Sequence, residues 1–327
     1  MAMDEAIRDS IAAQASTAIA DRNWAQLRYI GNRFERARCY REAWEVLATS
    51  VEARSPYNLP LWKGPKSCGA AHQGVLVLPR SRDLGDELRV LRFIESLQRH
   101  VDHVCALVEP RLAPLLERSM PGLVCCDPND AAPLDLITHM AAQERLGLWF
   151  GANEGQLTEN FQPLVAPGRV NATAGRGIGI SWFSKSRNKT LPALEDWVPV
   201  LQAIRQPIQS LQYLEKPAGI TALRELSGQH IRSSKPIDQM VDLDGFARQI
   251  SGLRGVLTIS NTTAHLAGAL GVPCVVILDN GSITNWPDEG DRTPLYPMTR
   301  LIRRKEDDWS TTLRRGWRCL RSMLREP

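Results

Sequence analysis

The 327-residue sequence lacks the features that assign a chain to several common classes. No stretch approaches the ~18 apolar residues of a membrane-spanning helix, and the first residues lack the apolar core of a signal peptide. The seven cysteines are scattered, apart from the adjacent Cys125 and Cys126, so no Cys/His spacing predicts a metal site. These absences predict a cytosolic protein with reduced thiols. They leave open a peripheral association with the inner face of a membrane.

Strong charge of one sign is also missing. The formal net charge of +4 is only mildly basic, and no basic run is interleaved with aromatic residues, so nucleic acid is not expected as a partner. The dinucleotide pattern GxGxxG, followed by an acidic residue about 20 positions later, is absent, which disfavours an α/β dehydrogenase. The 43% of hydrophobic residues is typical of a globular protein, and the length allows two ordinary domains.

What the sequence does contain is clearest at residues 255–278. Residues 256–259 and 274–278 are short β-branched runs, as expected of parallel strands that are buried on both faces. Four small polar residues lie between them, where a helix begins: Ser260, Asn261, Thr262 and Thr263. A helix N-terminus after a buried strand offers backbone N–H groups and a favourable dipole to a phosphate. The alternative is a well-packed strand–helix–strand unit without a ligand.

Residues 1–58 are predicted to form a helical segment. From residue 4 to residue 54, apolar side chains recur at helical spacing. Residues 40–50 resemble one helix of a tetratricopeptide hairpin, although the three repeats that a solenoid needs are not present. We expect this segment either to cap an exposed sheet or to bind a protein partner.

Residues 59–166 are predicted to form a doubly wound α/β domain. A buried strand at 74–78 leads through a polar loop into a helix that we expect to begin near Glu87. Further strands and helices follow, including a predicted helix over residues 134–145. Ligands of such domains meet the carboxyl ends of the strands.

The polar loop after the first strand contains candidate acidic residues. Gly85 permits close approach of the backbone to a ligand. Asp86 lies where the helix dipole stabilises a carboxylate, so it is either the N-cap of the helix or a functional acid. Asp83 is a second acidic candidate.

Residues 167–327 repeat the α/β pattern. A strand at 177–182 opens into a polar loop with cations at positions 185, 187 and 189, and a further strand ends at Gln212. The cations either bind an anion or simply form a solvated basic loop. The two repeats together predict two doubly wound domains that face each other across a cleft.

Several motifs carry a resemblance to a known family through their order and spacing. They are Leu84-Gly85-Asp86, Gly179-Ile180-Ser181-Trp182 followed by the basic loop, Ser210-Leu211-Gln212, the run from Ser260 to Gly271, and a carboxyl-terminal run from Asn285 to Trp309. This pattern resembles glycosyltransferase family 9, the ADP-heptose:lipopolysaccharide heptosyltransferase-like family. With its helical segment, the chain is similar to bacterial glycosyltransferase-like proteins in which tetratricopeptide helices precede such a domain.

The resemblance implies a GT-B fold and an inverting, metal-independent transfer of a sugar from a nucleotide-diphosphate donor to a hydroxyl of a saccharide or a protein. Asp86 would be the general base, and Lys189 would neutralise charge on the leaving diphosphate. The second domain would hold most of the donor, without a further cofactor. The implied donor-binding residues are Gly85, Ser181, Lys185, Gln212, Ser260, Asn261, Thr262, Thr263, His265 and Gly268.

The chain departs from the family pattern at two places. Ser260 stands where related sequences usually have an aspartate, and residues 80–83 replace a common Glu-Gln-Gly. These departures leave a second hypothesis, a catalytically silent protein that uses the fold for binding and assembly. His265 either contacts the donor or is a core histidine, and Trp286 and Tyr296 either stack on the donor or pack in the interior.

Overall fold

The computed structural model describes residues 5–67, 73–79, 81, 83–130, 132–168, 177–186, 189–213, 217–233, 237–280 and 286–325. The chain divides into two compact units. Unit 1 comprises Met1–Gln162 and Asn285–Gly290, and unit 2 comprises Pro163–Thr284 and Asp291–Pro327. No helix among the described residues is long and apolar enough to cross a membrane.

Unit 1 begins with three helices, α1 (Glu5–Ala20), α2 (Trp24–Arg36) and α3 (Tyr40–Glu52). Ala48 and Val51 of α3 are buried in one apolar cluster with strand residues of the unit, including Leu76. The indole Nε1 of Trp44 donates to the carbonyl of Gly151 at 2.7 Å. The helical segment therefore covers the sheet of unit 1, and the prediction that it caps exposed sheet is confirmed.

The rest of unit 1 alternates strands and helices: β1 (Gly74–Leu78), α4 (Leu84–Val90), α5 (Phe93–Gln98), β2 (His103–Leu107), α6 (Ala113–Ser119), β3 (Leu123–Cys126), β4 (His139–Ala142), α7 (Gln143–Phe150) and α8 (Glu154–Glu159). The strands form a parallel sheet in the order β3-β2-β1-β4. Every residue of β1 is buried, as its continuous apolar sequence requires.

Two sequence predictions in unit 1 are wrong. Residues 134–145 do not form one helix, because β4 occupies 139–142 and pairs with β1. Met and Ala in β4 favour a helix locally, but pairing with a buried central strand overrides that preference. The helix after β1 begins at Leu84 rather than near Glu87, and its N-cap is Asp83, whose side chain accepts from the N–H of Gly85.

Unit 2 contains β5 (Ile178–Ser181), α9 (Leu194–Ala203), β6 (Ile208–Ser210), α10 (Pro217–Ser227), β7 (Ile231–Arg232), α11 (Leu243–Ser251), β8 (Gly255–Ile259), α12 (Thr262–Ala269), β9 (Cys274–Leu278), β10 (Thr299–Arg303) and α13 (Trp309–Met323). Its parallel sheet has the order β10-β9-β8-β5-β6-β7. The predicted unit at 255–278 is confirmed as β8, α12 and β9.

The core of unit 2 lies between its sheet and the helices that cover it. Trp197 of α9 and Trp317 of α13 are buried in one cluster with Ile180 and Leu257 of the strands. The sequence reasoning did not identify α10 or β7. For β7 the reason is its length, since a strand of two residues carries almost no periodicity.

A short segment of the carboxyl-terminal half belongs to unit 1. Within it, Trp286 is only 1% exposed. The carboxylate of Asp288 accepts from Arg36 at 2.8 Å, and the backbone N–H of Asp288 donates to the carbonyl of Arg36 at 2.9 Å. Arg38 donates to the carbonyl of Glu289 at 3.1 Å. This return segment (285–290) is thus attached to the end of α2.

Candidate functional site

The centre of unit 2 has the topology of a ligand site. From β5 the chain moves to β6 and β7 on one side of the sheet, whereas β8, β9 and β10 lie on the other. The order reverses between β5 and β8, and open α/β sheets bind ligands outside the carboxyl ends of the strands at such a point. The polar loop after β5 and the start of α12 after β8 both follow these two strands.

Lys189 connects the two loops. Its ammonium group donates to the backbone carbonyl of Ser260 at 2.7 Å. Ser260 is buried and comes directly before Asn261, the N-cap of α12, whose side-chain oxygen accepts from the N–H of Ala264. A cation is therefore held beside the start of a helix, where N–H groups lack intrahelical acceptors and the dipole is positive.

A buried network of neutral side chains fixes the loop after β5. Asn261 Nδ2 donates to Ser181 Oγ at 2.8 Å, and Ser181 Oγ donates to Gln212 Oε1 at 3.2 Å. Gln212 Oε1 also accepts from the N–H groups of Trp182 at 2.9 Å and Phe183 at 2.8 Å. Because these side chains satisfy one another, Ser181, Gln212 and Asn261 shape the loop rather than project from it.

Other predicted donor-site residues lie along α12. Thr262 is partly buried at the first helical position, and Thr263 is fully buried with its hydroxyl 3.4 Å from the carbonyl of Leu211. His265 is 6% exposed, and its Nδ1 lies 3.4 Å from the hydroxyl of Tyr296. A Cβ at Gly268 would come within 2.6 Å of the Tyr296 ring, so glycine is required there for packing.

The two aromatic candidates are packing residues, since Trp286 and Tyr296 are each 1% exposed. Lys185 is exposed on the loop after β5. The cation at position 187 lies outside the described residues. Among the predicted loop cations that the structure describes, Lys189 is thus the one brought to the start of α12.

A small cavity of about 10 Å³ lies at the carboxyl ends of β8 and β9. Lys189, Ser260 and Asp279 contribute to its lining, together with Trp309. Asp279 accepts from Arg304 at 2.9 Å, and the Arg304 guanidinium lies 4.7 Å from the centre of the Trp309 ring. The sequence reasoning did not single out Asp279 or Arg304, because they are 25 positions apart and belong to no short motif.

Asp86 of unit 1 lies after β1, at the reversal between β1 and β4 in the sheet order. Its carboxylate accepts from Ser81 Oγ at 3.2 Å and from Arg89 Nη1 at 3.0 Å. Asp86 is not the N-cap of its helix, since Asp83 has that role. Gly85 is buried beside it, with its N–H bound to Asp83.

Behind Asp86 lies a buried group of charged residues that the sequence reasoning missed. Arg89 is fully buried, and its Nη2 donates to both carboxylate oxygens of Glu35 from α2. Glu87 is also fully buried, and one of its oxygens accepts from the N–H of Glu109. Burial raises the pKa of Glu87 from its ordinary 4.5 to about 8. The only feature of the sequence that could have indicated this buried group is the presence of charged residues on otherwise apolar helix faces.

The comparisons with known proteins agree with the architecture. No protein-family model matches the sequence. The chain is 26% identical over 278 residues to protein FlbA of Caulobacter vibrioides, a match that covers 75% of this chain and 46% of FlbA. The chain therefore spans less than half the length of that relative.

Solved structures define the class of fold. ADP-heptose lipopolysaccharide heptosyltransferase II of E. coli matches with a TM-score of 0.53 and 14% identity, over 77% of this chain and 98% of that one. A family 9 glycosyl transferase from Veillonella parvula matches with a TM-score of 0.51 and 11% identity, over 77% and 97%. Identities this low establish the fold alone. The predicted α/β fold class, that of the GT-B glycosyltransferases, is confirmed.

Proposed function

We propose that the protein is a cytoplasmic glycosyltransferase that moves a sugar from a nucleotide-diphosphate donor to a hydroxyl of a saccharide or protein acceptor. The observation that carries the proposal is the hydrogen bond from Lys189 to Ser260, which holds a cation at the start of α12. Diphosphates bind well where a helix N-terminus and a lysine lie together. The site also lies at the strand-order reversal of unit 2.

The proposed reaction assigns one role to each unit. Asp86 of unit 1 accepts the proton of the acceptor hydroxyl while the acceptor oxygen bonds to the anomeric carbon. The bond between the anomeric carbon and the donor phosphate oxygen breaks, and its electron pair leaves with the nucleoside diphosphate. Lys189 and the first amides of α12 neutralise that charge without a metal ion. Attack opposite the leaving group inverts the anomeric configuration.

The second candidate is a catalytically silent binding protein with the same fold. Ser260 in place of the usual aspartate favours it, and so does the ion pair of Asp86 with Arg89, because a bound cation makes a carboxylate a weaker base. Exposed Ile19 and Tyr29 on the helical segment are available to a protein partner under either candidate.

The donor site is tested by thermal denaturation with UDP, GDP, ADP, CMP and dTDP. A nucleotide that binds only the folded protein raises the unfolding midpoint by mass action. We expect one nucleotide to do so, and we expect Lys189→Gln and Thr262→Arg to remove the shift. Lys305→Gln, an exposed cation elsewhere in unit 2, is the matched control and should retain it.

The catalytic role is tested next with the donor that the nucleotide identifies. Asp86→Asn should abolish sugar transfer while the nucleotide still raises the midpoint. Transfer at the wild-type rate by Asp86→Asn would exclude Asp86 as the base. If no nucleotide raises the midpoint of the wild type, the donor site is wrong and the silent protein becomes the leading candidate.

A further inference from the structure

The buried ion pair of Arg89 links the proposed base to the helical segment. Arg89 has no exposed surface, and its partner Glu35 is 3% exposed. One terminal nitrogen, Nη1, donates to Asp86 at 3.0 Å, and the other, Nη2, donates to both oxygens of Glu35. A single guanidinium therefore lies between two carboxylates that are 51 positions apart in sequence.

The two carboxylates differ in what surrounds them. Glu35 is buried near the end of α2, whereas the Asp86 side chain keeps 14% of its surface exposed. A buried carboxylate without a cation is costly, so Glu35 holds Arg89 in place. In that position Arg89 fixes the direction of the Asp86 carboxylate, since Ser81 is bound to its other oxygen.

Other charged and titratable groups lie near this ion pair. Glu87 has Asp83, Asp86 and Glu109 as charged neighbours, and Tyr40 on α3 interacts with Glu35 and Arg89. Arg92 beside α4 is buried, and so is Glu144 on α7, the helix that packs on α4. Glu87, with its pKa raised to about 8 by burial, is neutral while an ordinary carboxylate titrates. Glu109 is bound to Arg111 at 2.7 Å.

We infer that Glu35 is a positioning residue for Asp86. By engaging Arg89 through both oxygens, Glu35 neutralises part of the guanidinium charge, so Arg89 orients Asp86 without making it too weak a base to take the acceptor proton. The inference rests on the proposed function. It makes the helical segment part of the catalytic apparatus rather than only a cover for the sheet.

The test is an NMR titration of the intact protein labelled with ¹³C-aspartate, with the Asp86 carboxyl signal assigned by Asp86→Asn. In Glu35→Gln the full charge of Arg89 acts on Asp86, and its titration midpoint should fall by about one pH unit. In the double variant Glu35→Gln/Arg89→Gln the cation is gone, and the midpoint should rise above that of the wild type. The double variant removes both charges of the buried pair together, so we expect it to fold.

Glu52→Gln is the matched control. Glu52 is another buried carboxylate of the helical segment, and it binds Arg145 of α7 rather than Arg89. It should leave the Asp86 midpoint unchanged. The inference is overturned if the midpoint stays fixed in both Glu35 variants, if it moves in the same direction in both, or if Glu52→Gln moves it as much.

The rate of transfer gives a separate readout. The acid limb of the pH–rate profile should move to lower pH in Glu35→Gln and to higher pH in the double variant. A purely structural role would lower the rate at every pH without displacing the limb. If the wild type transfers no sugar, the proposed function fails, while the titration still decides whether Glu35 controls Asp86 through Arg89.

Discussion

The two candidate loops of the molecule are stabilised in opposite ways. In unit 2, the loop after β5 is fixed by neutral side chains, with Gln212 accepting two backbone N–H groups. In unit 1, the start of α4 is fixed by buried charges, with Arg89 between Asp86 and Glu35. A neutral network that loses one member leaves unsatisfied dipoles, whereas a buried ion pair that loses one partner leaves an uncompensated charge, which costs more.

The difference has a chemical reason. A donor diphosphate brings its own charge, so a site for it needs amides, hydroxyls and one held cation rather than internal ion pairs. A general base needs a defined orientation and proton affinity, which neighbouring charges control. Three changes test whether this contrast is real.

Removing Arg89, the buried cation beside Asp86, should have the largest effect on stability. Arg89→Met removes the guanidinium from which both oxygens of the buried Glu35 accept, and we expect the free energy of unfolding to fall by about 3–5 kcal/mol in a denaturant titration. The double variant Glu35→Leu/Arg89→Met should recover most of the loss, because both charges are removed together. A loss no larger than the about 1–3 kcal/mol expected of Gln212→Leu in unit 2 would mean that the two loops are stabilised alike.

Glu87 should make the stability of unit 1 depend on pH. Its folded pKa, raised to about 8 by burial, lies above the ordinary 4.5, so the folded state keeps a proton that the unfolded chain has lost. Stability therefore falls as pH rises from 4.5 to 8, and the full penalty applies above 8. Relative to wild type, Glu87→Gln should gain roughly 2–4 kcal/mol at pH 9 and almost nothing at pH 4. An equal gain at both pH values would contradict the assignment.

Changing the neutral network of unit 2 should have the smallest effect on the free energy of unfolding. Gln212→Leu removes the acceptor of two backbone N–H groups, at a cost of about 1–3 kcal/mol without pH dependence. Hydrogen exchange at Trp182 and Phe183 should become faster. Gln202→Leu is the control, since its side chain makes a 3.4 Å contact with the carbonyl of Ser227 away from this loop. Unchanged exchange in Gln212→Leu would show that other contacts hold the loop.

The sequence predicted the centre of unit 2 better than β4 of unit 1 for a physical reason. Residues 255–278 form β8, α12 and β9 as expected, because strand, cap and helix signals are local there. At β4 the prediction failed, because a partner strand more than 60 positions away decides the structure. Asp86 was identified from its position after a strand, but Glu35 was not, since it lies 54 positions from Arg89 in the sequence. Structure that depends on neighbouring residues can therefore be predicted from the sequence, whereas an ion pair between distant positions cannot.

The return segment at 285–290 determines how the chain can be divided. Unit 1 is completed by Trp286 and Asp288, which follow almost all of unit 2 in the chain. A fragment ending at residue 162 would lack the partner that the Arg36 side chain and carbonyl bind. Separate fragments 1–162 and 163–327 should therefore associate by complementation. Any exchange of unit 1 with that of a related protein has to carry these six residues with it.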